Sequence, residues 1–108
     1  MKECRVLEVT ETGAKRWRKF NAWPLIGACF SDGSVIGKSL KNEPGLWSVF
    51  QGASGRFAVY CDGAVVKTLA VYDSLNAMQD VPGELIEHIE MALGKHAPEA
   101  IPEELLEL

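Results

Sequence analysis

Arg56-Phe-Ala-Val-Tyr-Cys-Asp62-Gly63-Ala-Val-Val-Lys-Thr-Leu-Ala-Val71 is the stretch on which the fold turns. An Asp-Gly pair between runs of β-branched and aromatic residues predicts a hairpin, because a type I′ turn needs φ > 0 at both central positions. A two-residue turn pairs Cys61 with Ala64 and Phe57 with Thr68. One face then carries Phe57, Val59, Cys61, Ala64, Val66 and Thr68 and is almost wholly apolar. The other carries Arg56, Ala58, Tyr60, Val65, Lys67 and Leu69 and is mixed. Side chains alternate along a strand, so a one-residue slip would scramble this division. The clean face is expected to take a helix. The mixed face, with Tyr60, Val65 and Leu69, is the expected place for a partner.

Upstream, Asp32-Gly33 repeats the signal between Leu25–Phe30 and Val35–Leu40. A two-residue turn there puts Leu25, Cys29, Ile36 and Leu40 on one face and Ile26, Phe30 and Val35 on the other. Leu46–Gln51 reads as a strand with Trp47, Val49 and Gln51 opposed to Leu46, Ser48 and Phe50. Five successive strands with short turns make an antiparallel meander. Glu3–Thr10 is a sixth strand, expected at an edge. Between it and the meander, Ala14–Phe20 reads as a short helix with Trp17 and Phe20 on one side. Pro24 ends any such helix and holds Trp23 extended.

Downstream the period changes. Asp73 or Ser74 can cap a short helix through Gln79. From Glu84 the apolar residues Leu85, Ile86, Ile89, Ala92 and Leu93 form one stripe of an amphipathic helix, with Gly94 expected at its C′ position. The 97–108 tail ends in Leu105, Leu106 and Leu108, with room for one helical turn after Pro102. Those leucines need cover, from the domain itself or from a second subunit. The expected class is therefore α+β in a single domain, 1–108: a curved antiparallel meander of about six strands with a C-terminal helix packed on one face. One helix cannot cover Phe30, Trp23, Trp47, Tyr60 and Leu69 as well. Either the sheet rolls into a partial barrel or a second copy covers it.

Composition narrows the function. The 108 residues hold no run near the roughly 18 apolar residues of a membrane span and no signal-peptide pattern, so the expected location is cytoplasmic. Cys4, Cys29 and Cys61 are odd in number, lack metal-ligand spacing and fall in strands, where cysteine serves as a small buried hydrophobe. No phosphate-binding glycine loop, dinucleotide fingerprint or nucleophile elbow is present. His88 and His96 find no diagnostic partners, and a Cys61–His88 pair lacks a third member. No catalytic residue, cofactor or metal is expected.

The net charge of −4 conceals a division. Residues 1–72 carry ten Lys and Arg against six Asp and Glu, net +4, and residues 73–108 carry one against nine, net −8. The cations gather in Lys15-Arg16-Trp17-Arg18-Lys19-Phe20, with Trp23 beyond. Three readings fit: ion pairs to the acidic C-terminal helix, a protein interface, or single-stranded nucleic acid, whose bases stack on rings while cations hold phosphates. The expected function is a non-enzymatic accessory protein acting through protein–protein contacts as a homodimer. Nucleic-acid binding at Lys15–Trp23 and a small-ligand pocket in the curved sheet are the alternatives.

Overall fold

A computed structural model describes the backbone of residues 1–100 and the side chains of residues 1–94. The 101–108 segment, with the turn expected after Pro102 and the docking of the tail leucines, lies outside the described residues.

The strands are β1 (Lys2–Val9), β2 (Lys15–Ile26), β3 (Ala28–Cys29), β4 (Val35–Ile36), β5 (Lys38–Ser39), β6 (Leu46–Gln51), β7 (Phe57–Asp62) and β8 (Lys67–Tyr72). A 3-10 turn at Leu75–Ala77, where a short helix was expected, leads to helix α1 (Gly83–Ala100). The main sheet runs β2-β1-β8-β7-β6-β5, and β2 also pairs with β6. That extra pairing closes β1, β2, β6, β7 and β8 into a five-stranded antiparallel barrel, with α1 packed on its outside. The sheet rolls, and the barrel hides apolar surface that a second subunit would otherwise have to cover.

The opening hairpin keeps its faces but not its turn. Phe57 pairs with Tyr72 and Asp62 with Lys67, four residues beyond the two-residue register. An even displacement preserves the alternation, so Phe57, Val59, Cys61 and Thr68 still share a side. The chain reverses through Gly63–Val66, with the Gly63 N–H on the Val66 carbonyl at 3.0 Å. Lys67 Nζ grips both the Asp62 carboxylate and, at 3.2 Å, the Gly63 carbonyl. Phe57 and Val59 pack with Leu85, Ile89 and Ala92 of α1, as expected for the clean face. The mixed face points into the barrel, where Tyr60 and Leu69 join Cys4, Val6, Ala22, Cys29 and Phe50. Leu46–Gln51 divides as its alternation predicts, Val49 toward the helix and Phe50 inward.

At Asp32-Gly33 the register differs by one: Ala28 pairs with Ile36 and Cys29 with Val35. That odd slip exchanges faces, so Cys29 and Val35 turn inward while Phe30 (47% exposed) and Ile36 (55%) face out. The cause is a three-residue loop with glycine third, at φ +90. The Gly33 N–H meets the Phe30 carbonyl at 2.9 Å and the Phe30 N–H meets the Ser34 carbonyl at 2.8 Å. Two other hairpins, closing at Gly13 and Gly55, use the same construction.

Three further expectations are corrected. Ala14–Phe20 is not a helix: from Lys15 on it is part of β2, paired residue for residue with β1 from Val9↔Lys15 to Lys2↔Ala22. Tertiary pairing outweighs a weak local helical preference. Pro24 sits inside this strand at a register irregularity against β6, where a missing N–H is tolerated. β1 is not an edge, being flanked by β2 and, at Val9↔Lys67, by β8. Nor does α1 stop at Gly94.

Candidate binding surface on strand β2

The strand conformation sorts the basic segment. Lys15, Trp17, Lys19 and Asn21 alternate onto the outside of the barrel, opposite Val9, Leu7, Arg5 and Glu3. Arg16, Arg18, Phe20 and Ala22 take the other side. A helix would have grouped Trp17 with Phe20; the strand separates them. Trp17 is 60% exposed. Phe20 turns in and meets Phe50 edge to face at 5.1 Å.

Backbone bonds explain the arrangement around Trp17. The Arg5 N–H donates to the Gly33 carbonyl (2.8 Å), and the Leu7 carbonyl accepts the Tyr60 hydroxyl (2.7 Å). Both groups point away from β2, so Arg5/Lys19 and Leu7/Trp17 are non-hydrogen-bonded pairs, whose side chains approach most closely. Arg5 thereby lies over the Trp17 ring, 5.4 Å from its centroid. Its partner Asp32 is 4.0 Å away and exposed. The Ser34 hydroxyl and N–H hold the Asp32 carboxyl below its ordinary range.

The same geometry exposes an edge. Because those pairs do not bond to β1, Trp17 and Lys19, and by alternation Lys15 and Asn21, direct their N–H and C=O groups away from it. β6 takes up that side of β2 only from Trp23 onward. Among the described residues, no backbone bond occupies the free side of Lys15–Asn21. This edge borders a cleft of about 160 Å³, lined by five consecutive β2 residues from Arg18 to Ala22. Phe50, Ala58 and Leu69 give it an apolar floor, and Arg56 and Val71 stand at its rim.

Charge at this surface is uneven. Arg18 pairs with Glu8 at 3.1 Å and Arg56 with Asp73 at 3.0 Å. Among the described residues, Lys15, Arg16 and Lys19 have no ion-pair partner, and α1 supplies none. Glu84 of α1 turns instead to the Lys41 N–H and His88.

The remaining expected site residues scatter. Trp23 is half-buried past the free edge, and Val65 is 71% exposed at the β7–β8 loop, remote in the chain from β2. Tyr60 is buried and Leu69 half-buried. Arg5, Phe50, Ala58 and Val71 were missed. Arg5 was legible in principle: pairing strands about a three-residue Glu11-Thr12-Gly13 loop puts it opposite Lys19, once Lys15–Ile26 is read as a strand.

Two of the thiols, Cys4 and Cys61, are held protonated. Cys4 is pushed up to about 12 by burial and by the adjoining Cys29 thiol, and Cys61 is raised by burial. A nucleophilic cysteine needs the opposite shift. Among the described residues, no group of three His, Cys, Asp or Glu is placed to hold a metal. Among the described residues, no helix is long and apolar enough to cross a membrane. No protein-family model, curated protein or solved structure matches the chain.

Proposed function

We propose that this chain is a non-enzymatic, cytoplasmic binding module that engages an acidic protein surface through β2. The observation that carries the reading is Trp17, 60% exposed in mid-strand, between Lys15 and Lys19 and under Arg5. Tryptophan and arginine are the residues most enriched among interface hot spots. An exposed ring flanked by Lys15 and Lys19, which have no ion-pair partner among the described residues, suits carboxylates on an opposing surface. The neighbouring free strand edge favours a protein over a nucleic acid, which has no strand to offer it.

The test uses Trp17 emission, isolated by subtracting a Trp17→Phe variant. A glutamate-rich peptide should perturb it at low salt, and Lys15→Glu with Lys19→Glu should abolish the response. No response at low salt, or one indifferent to the charge reversal, refutes the reading. A second copy is the first partner to examine. Sedimentation equilibrium at high micromolar concentration tests the homodimer, and a strict monomer removes it.

The Arg5–Trp17 stack supports a second reading, single-stranded nucleic acid. About three phosphate contacts, by Lys15, Arg16 and Lys19, give a log–log salt slope near −2. Losing one stacked base on Trp17→Ala costs about 1–3 kcal/mol. Fluorescence anisotropy with an oligothymidylate decides between the partners.

A further inference from the structure

We infer that the partner binds by strand addition: an extended acidic peptide pairs along the free edge of Lys15–Asn21 and lowers one apolar side chain into the adjoining cleft. The inference rests on the proposed protein-binding function and specifies its mode.

Three observations converge on it. First, the edge is a ladder waiting for a partner. Lys15, Trp17, Lys19 and Asn21 present donors and acceptors away from β1, and β6 does not reach them. An extended peptide satisfies such groups with its own main chain and takes specificity from pockets for alternate side chains. Second, a pocket of that kind lies beside the edge. Its floor of Phe20, Phe50, Ala58 and Leu69 is apolar, and its volume is about 160 Å³. An apolar cavity of about 150 Å³ admits a benzene ring, so one leucine or phenylalanine side chain fits. The space exists because Ala22 and Ala58 stand where larger residues would fill the barrel mouth. Third, the uncompensated charge around the edge is positive. Arg18 and Arg56 are paired with Glu8 and Asp73, but Lys15, Arg16 and Lys19 lie along the edge with no ion-pair partner among the described residues, and no described Asp or Glu lines the cleft.

Lysines on an edge strand also serve to keep other strands away. Alone they would explain Lys15 and Lys19. They do not explain an apolar cleft opening directly beside the edge they guard.

The probe is a capped heptapeptide of alternating glutamate and leucine, followed by titration calorimetry against the whole chain. Two derivatives carry N-methyl groups on alternate amides, one set in each register. Only one set can face β2, so one derivative should bind at least tenfold more weakly and the other like the parent. Val71→Glu, at an exposed position on the rim, should weaken the parent at least tenfold by like-charge repulsion. Ala58→Leu should do so by filling the cleft, with circular dichroism checking its fold.

Strand addition is overturned if both derivatives bind like the parent, if Val71→Glu leaves binding unchanged, or if the parent fails to bind at millimolar concentration. Sensitivity to Lys15→Glu and Lys19→Glu without sensitivity to N-methylation keeps the protein-binding surface and removes the strand. Sensitivity to N-methylation without any effect of Trp17→Ala or the charge reversal does the converse.

Discussion

Replacing Tyr60 by phenylalanine removes one oxygen and tests how the barrel closes. Only Val9↔Lys67 joins β1 to β8 by ladder pairing. Two residues along, where the next outward-facing carbonyl of β1 lies, the Tyr60 hydroxyl takes its place at 2.7 Å from the Leu7 oxygen. Tyr60 is 6% exposed, so its ring stays where it is and only the bond is lost. Orphaning a buried acceptor costs about 1–3 kcal/mol. Leu7 is only half-buried, which sets the expectation for Tyr60→Phe at about 1–2 kcal/mol. For a domain of this size that lowers the melting temperature by about 5–10 °C. Urea and thermal unfolding followed by circular dichroism measure both quantities.

The same residue carries an alkaline signature. Burial, and then the nearby Asp62 carboxylate, push the Tyr60 hydroxyl from 10.0 up to about 12. Between those values the folded chain keeps a proton that the unfolded chain has released. Stability from this group is therefore whole below pH 10 and drains away as pH rises toward 12. The wild type should lose more stability than Tyr60→Phe across that window. Tyrosinate absorbance should lose a high-titrating component in the variant. A variant as stable as the wild type, together with a Tyr60 that ionises like a free phenol, would refute this account of closure.

Glycines and a buried hydroxyl supply two further tests. Gly13 and Gly27 both have positive φ, at +85 and +83, but a Cβ at Gly13 meets nothing within 4 Å while one at Gly27 falls 2.6 Å from the Ile36 carbonyl. Gly13→Ala should cost about 1–2 kcal/mol from backbone strain alone. Gly27→Ala should cost clearly more, and equal losses in denaturant titration would contradict the close approach. Ser48 is fully buried and its Oγ has no hydrogen-bond partner among the described residues. Ser48→Ala should therefore be neutral or stabilising by up to about 1 kcal/mol, and a marked drop in melting temperature would mean that the hydroxyl is satisfied.

Much of the fold was legible because it rests on short-range rules. The α1 stripe of Leu85, Ile89 and Ala92 is written in its spacing, as is the outward position of Met91 (62% exposed). The Asp62-Gly63 reading survived a wrong turn type because the register moved by an even number of residues. Asp32-Gly33 did not survive, because there it moved by one. In both cases the loop length was hidden from an Asp-Gly reading, while a glycine at the third loop position recurs at Gly13, Gly33 and Gly55. The binding surface was half legible. Lys15–Phe20 stood out by composition, but whether Trp17 and Phe20 share a side depends on strand against helix. That choice was made by eight residues of β1 rather than by the segment itself.

What this sequence determined alone is alternation: which residues of Arg56–Val71 travel together follows from side chains reversing at each step along a strand. What it left open is the inside. Phe57 and Val59 went to the helix, while Tyr60 and Leu69, reserved for a partner, went to the barrel. That assignment depends on contacts such as Tyr60 to Leu7, which spans 53 residues. No local pattern encodes a pairing over that distance, and only closure of the sheet could decide which face water would lose.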